Sequence, residues 1–135
     1  MSYSDRHTWA SAEQTLEAAT DLELPFVSTL NLVIHKIGLR VTNTAAGGAT
    51  VVFEDRVNAS TDVTIESVVI PAADSDGELF YTEILAGYVL SPGHILNLAV
   101  TESGTAPTAI AVVEYSILDA DLSDTLATAE TTESA

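Results

Sequence analysis

The chain contains no cysteine, and only four of its 135 residues are lysine or arginine. The first absence removes disulfides, zinc–thiolate sites and thiol nucleophiles together, and leaves the redox compartment unread. The second goes further. Arg6, Lys36, Arg40 and Arg56 all fall in the first half, residues 57 to 135 carry no cation, and twenty Asp and Glu bring the formal net charge to −16. Phosphate binding needs clustered cations, so a nucleic-acid partner is excluded. No apolar run approaches the ~20 residues of a membrane-spanning helix. The opening MSYSDRHTWAS has neither the basic start nor the hydrophobic segment of a signal peptide. The expectation is a protein with no membrane partner, made in a cytoplasm.

What remains is a β-forming palette. Apolar residues make up 47% of the chain but aromatics only 6%, so Ala, Val, Leu, Ile and Thr must build the core. From Leu24 onward, short alternating segments are bounded by turn formers. Phe26 to Ile34 and Ile37 to Asn43 read as a first pair of strands, followed by Ala45-Ala46-Gly47-Gly48 as a positive-φ hairpin turn into Thr50 to Glu54. Asn58-Ala59-Ser60 turns the chain into Val63 to Ile70. Glu78 to Leu85 is a strand interrupted by Ala86 and Gly87, Tyr88 to Leu90 leads to the next turn, and Ile95 to Thr101 and Thr108 to Leu118 complete the set. About eight strands at roughly ten-residue spacing predict an all-β antiparallel sandwich or jelly roll over residues 24–118.

The flanks differ. Residues 1–23 form an N-terminal arm with two readings. Ser11-Ala12-Glu13-Gln14 matches a capping box opening a short helix, and the same residues suit an extended strand docked through Leu16, Leu22 and Leu24. Residues 119–135, DADLSDTLATAETTESA, are small, polar and acidic, which predicts a mobile tail.

Candidate chemistry is sparse. In SPGHILN the residues Gly87, Pro92, Gly93, His94 and Asn97 follow the order of the second cupin motif, and that resemblance would imply a metal-dependent β-barrel enzyme. The spacing is compressed, the first cupin motif with its paired histidines is missing, and His7 and His35 are isolated, whereas a metal site needs about three convergent ligands. A turn explains the stretch with less. Pro92 fixes φ, Gly93 takes positive φ, Leu96, Leu98 and Val100 then point inward, and His94 stands exposed where the strand begins. Asp74, Asp76, Gly77 and Glu83 occupy the third, fifth, sixth and twelfth places of a calcium loop whose first place is Ala72, with strands instead of helices at its flanks. That is a chance match in an acidic chain, and calcium at another acidic loop stays open. Glu66, Glu83 and Glu114 lie on strands as a solvated face, and Gly47-Gly48 lacks the lysine of a phosphate loop. No serine sits in a nucleophile elbow. These residues point to no enzyme, no metal and no cofactor.

The segment LAGYVLSPGHILNLAVTESGTAPTAIAVVEYSIL, with its SPG turn before an alternating strand, its Thr-Gly-Ala loop and its ending VVEY, resembles capsid decoration (cement) proteins of tailed bacteriophages over residues 50–118. The resemblance implies a non-enzymatic virion protein on the outer surface of the capsid, a homotrimer whose partner is the major capsid protein. An N-terminal arm often clamps the shell in such proteins, which makes Tyr3, Arg6 and Trp9 the contact candidates. Trp9 capping its own sandwich is the other reading of that residue. A fibre or baseplate module binding host glycan through Tyr81 or Tyr88 is the alternative function, and a cupin-like enzyme holding metal at His94 is the second.

Overall fold

Alternation along the strands decides which side of each faces inward. On β4 (Gly48–Asn58) Ala49, Val51 and Phe53 are buried while Thr50, between the first two, is exposed. The same period runs through β8 (Thr108–Ile117), where Ala109, Ala111 and Val113 are sealed. The computed structural model describes residues 5–17, 22–43, 47–72 and 76–118. The other strands are β1 (His7–Thr15), β2 (Leu22–Glu23), β3 (Leu32–Asn43), β5 (Thr61–Ile70), β6 (Leu79–Leu90) and β7 (Ile95–Ser103), and there is no helix among the described residues.

The pairings follow one rule. β4 pairs with β5, β3 with β6, β2 with β7 and β1 with β8, all antiparallel, so the chain is a long hairpin folded at Ala59–Ser60. At that tip the Ser60 amide donates to Asn58 Oδ1 at 2.9 Å, an Asx turn. Curling the hairpin lets β3 also pair with β8 and β4 with β7. The result is two four-stranded sheets, β1-β8-β3-β6 and β2-β7-β4-β5, the jelly roll. Phe53, Ile34, Ile37, Leu39, Leu96 and Leu98, each fully buried, fill the space between them.

The segment that also reads as a helix opening is β1. Ser11 does not cap anything. The ladder to β8 shifts register between Ala10 and Glu13, and the Ser11 hydroxyl fills the gap by accepting the Ala111 amide at 3.0 Å. Pairing with an apolar strand outweighs the weak helix preference of nine residues. Phe26 to Ile34 is not a strand either. The pair expected over residues 26–43 is one strand, β3, with a bulge at His35 that resets its alternation, so Leu32 and Ile34 and then Ile37, Leu39 and Val41 all point inward. Residues 24–26 instead extend the edge beside β7, Leu24 donating to Leu96 and Leu96 to Phe26.

The expected hairpin at Gly47-Gly48 is also corrected. β3 and β4 lie in different sheets and do not pair with each other, and Gly48 is the first residue of β4. Its side chain is missing because of close approach, since a Cβ there would lie 2.5 Å from the Ile70 carbonyl oxygen. Ala86 and Gly87 do not end a strand. Tyr88 pairs with Ile34 and Glu83 with Lys36, so the four residues 84–87 of β6 stand opposite His35 alone. Gly87 takes a φ of 75°, and a Cβ on it would meet Val33 Cγ1 at 2.5 Å. Residues 119–135 lie outside the described residues.

Candidate functional site

Asp55 continues the inward row of Val51 and Phe53 to the end of β4, and this puts a carboxylate, only 3% exposed, at the mouth of an apolar core. Two partners satisfy it. The Tyr88 hydroxyl, from β6 in the opposite sheet, donates to Oδ2 at 2.6 Å, and His94 Nδ1 lies 2.8 Å from Oδ1. Burial raises the Tyr88 pKa well above its ordinary value of 10.0, helped by the hydrogen bond to Asp55 and then by the charge of that carboxylate. The phenol therefore stays protonated as a donor, and Asp55 ties both sheets to the β6–β7 turn.

That turn positions His94. The His94 amide donates to the Ser91 carbonyl at 3.1 Å across Pro92 and Gly93, Gly93 has a φ of 82°, and the Gly93 amide donates to Ser28 at 2.8 Å. This is the type II corner that Pro and Gly encode. The expectation of an exposed His94 is corrected, because the corner lays its ring against Asp55 with 23% of the side chain exposed. The sequence signal was available in the Val51, Phe53, Asp55 alternation, which places this acid inward.

The group is not a catalytic triad. Among the described residues the His94 ring makes no second hydrogen bond, so no nucleophile is held on its other nitrogen. Nor do His94 and Asn97 converge. Asp55 and Glu54 are neighbours on one strand and point to opposite faces. His94 takes the inward Asp55, while Asn97 Nδ2 donates to the outward Glu54 at 3.0 Å. His7 packs on Tyr115 and His35 bonds Ser116, each away from His94. Among the described residues no group of three His, Asp or Glu could hold a metal. Asp74 lies outside the described residues, and Glu83 faces Lys36 at 3.8 Å.

The outer face of the β1-β8-β3-β6 sheet collects three of the four cations. Arg6 Nη1 meets Glu114 Oε1 at 2.7 Å, Lys36 reaches toward Glu83 and stands 4.6 Å over the Tyr81 ring, and Arg40, exposed, makes no ion pair among the described residues. His35 Nε2 lies 2.9 Å from Ser116 Oγ. Burial lowers the His35 pKa, the Arg6 charge lowers it further, and Glu114 opposes both. Ser116 is only 2% exposed, and it stands with His35 and Arg6 among the residues that line an open hollow. Arg56, on the outer face of the other sheet, is held by Glu23 at 3.0 Å and Asp62 at 2.9 Å.

Of the residues read as shell contacts, Tyr3 lies outside the described residues and Arg6 sits on the face just described. Trp9 packs against its own sandwich. It is half buried, with its ring 5.0 Å from Phe26, whose ring is 5.4 Å from Tyr115, and this aromatic row closes one end of the core. Of the two tyrosines read as glycan platforms, Tyr88 is engaged with Asp55 and Tyr81 is 53% exposed. Sequence reasoning missed the other exposed apolar residues on the outward side of β6, namely Leu79, Leu85 and Val89.

No family model matches the chain, and no curated protein does. Solved structures do. A chain of the acidic stable capsid structure of Helicobacter pylori bacteriophage KHP30 superposes with a TM-score of 0.55 at 15% identity, covering 84% of this chain and 92% of that one. A chain of the disulfide-linked pili that form Bacillus endospore appendages gives a TM-score of 0.48 at 15% identity over 89% and 93%. The Eiger TNF of S. frugiperda gives 0.45 at 11% over 87% and 94%. With the phage capsid chain this protein shares its fold, an eight-stranded jelly roll.

Proposed function

We propose that the chain is a non-enzymatic structural protein of a virus particle. It binds the outside of the shell as a homotrimer and bridges neighbouring major capsid subunits. The observation that carries this reading is the likeness of fold to a chain of a phage capsid structure, which spans nearly the whole of both chains. The side chains support it. The acid, histidine and tyrosine at the mouth of the core form a clasp between sheets, and the Ser116 hydroxyl beside His35 belongs to a residue only 2% exposed. Among the described residues the His94 ring holds no nucleophile, while the described surface displays a sheet face of apolar and cationic residues suited to protein contact.

The role is mechanical. Each bound subunit adds interface area between shell proteins, and its acidic remainder keeps particles dispersed by mutual repulsion. Mixing purified protein with undecorated shells of the virus that encodes it, and then sedimenting the shells, tests the reading. The protein is expected in the pellet at a fixed ratio to the shell subunit. Glycan binding without any affinity for shells would transfer the reading to an adhesin module.

A further inference from the structure

The four residues 84–87 of β6 that stand opposite His35 push one side chain out of the sheet. Leu85, at their tip, is 94% exposed. Along the same outward side run Leu79, Tyr81 and Val89, each about half exposed, on a twelve-residue strand at the open edge of its sheet. Beside Leu85 is an open hollow of about 430 Å³, with Arg6, His35, Ala86, Gly87 and Ser116 among its lining residues. A protruding leucine next to a hollow of side-chain size is an unusual surface for an isolated chain, and β6 carries no lysine or proline to blunt its edge.

Charge indicates what covers it. The chain carries −16, so two copies repel over most of their surface. This face is different. Arg6, Lys36 and Arg40 stand on it, and Lys36 lies in register with both Glu83 and Glu114, so its centre is balanced. The face is also large enough. Four strands of about ten residues span roughly 33 Å by 19 Å, on the order of 600 Å² in plan, comparable with the ~800 Å² per partner of a stable interface.

We infer that the outer face of the β1-β8-β3-β6 sheet is where a second copy of this chain docks, with Leu85 of each subunit set against its neighbour. The inference rests on the homo-oligomer of the proposed function and assigns its contact surface. The contact brings together two like-charged molecules, so it tightens as salt screens the remainder of their charge.

Sedimentation equilibrium of the full chain tests this at concentrations up to the order of 0.1 mM, in about 0.05 M and about 0.5 M salt. The expected result is an oligomer favoured by the higher salt. Leu85→Glu and Tyr81→Glu, both at exposed positions and both checked for the β spectrum by circular dichroism, each raise the dissociation constant by at least about tenfold. Val69→Glu, at a position 57% exposed on the other sheet, leaves the association unchanged. An oligomer that survives both β6 variants, or that Val69→Glu disrupts equally, overturns this surface and leaves the structural role standing. A wild-type monomer at both salt concentrations also overturns it, and shell sedimentation then judges the role by itself.

Discussion

Asp55 sits where alternation demands an apolar residue, so its effect on stability depends on its partners. Asp55→Ala leaves the Tyr88 hydroxyl half-buried without an acceptor and releases His94, a loss of about 1–3 kcal/mol. Tyr88→Phe leaves Asp55 its bond to His94 and should cost less, about 1 kcal/mol. Urea unfolding of the two variants gives the order directly, and equal losses would mean that His94 contributes nothing. The titrations add a pH signature. The folded state raises the Tyr88 pKa, so the associated stability is complete below pH 10.0 and declines as pH rises above it, a decline that Tyr88→Phe removes. His35 is shifted down, so the folded state favours its neutral form. That contribution is complete above pH 6.5 and is lost as pH falls through the lowered value. Denaturation midpoints from about pH 7 to pH 5 should therefore fall less steeply in His35→Gln than in the wild type. Parallel curves would remove His35 as the cause.

Among the elements, glycines separate two kinds of constraint. Gly93 has open space where a Cβ would go but a φ of 82°, so Gly93→Ala costs about 1–2 kcal/mol of backbone strain. Gly48 would place a Cβ 2.5 Å from one backbone oxygen and 2.7 Å from the Ala72 nitrogen, neither of which can rotate away, so Gly48→Ala is expected at about 3 kcal/mol. Thermal or urea unfolding should rank Gly48→Ala as the more damaging, and the reverse order would contradict the close packing at the start of β4. The same elements show what was legible beforehand. Strands such as β4 and β8 could be read because their alternation runs unbroken, and the Pro92–Gly93 corner because two adjacent residues encode it. The bulges could not be read. His35 interrupts the period of β3 and Gly87 that of β6, so each continuous strand reads as two pieces. Ser11 resembles a helix cap because its hydroxyl seeks a backbone amide, and only the structure shows that the amide belongs to Ala111. Asp55, Tyr88 and His94 come together across a fold in the chain, and local spacing carries no record of that.

For the whole molecule, a hairpin rolled on itself pairs the first long strand with the last, so its contacts range from local ones around Ala59–Ser60 to those of β1 with β8, about a hundred residues apart in sequence. Such non-local pairing folds slowly, on the order of milliseconds to seconds. Stopped-flow refolding should resolve the main phase, and full recovery within the instrument's dead time would contradict this dependence on non-local pairing. Charge is distributed at this scale as well. One sheet face combines apolar side chains with three cations while the chain as a whole is strongly acidic, a division suited to a molecule that meets its own kind on that side. The central claim is that this jelly roll serves as a structural part of a virus particle, and co-sedimentation with undecorated shells tests it most directly. The account predicts saturable recovery in the pellet at a fixed ratio to the shell subunit. Protein that stays wholly in the supernatant at every concentration and salt would contradict it.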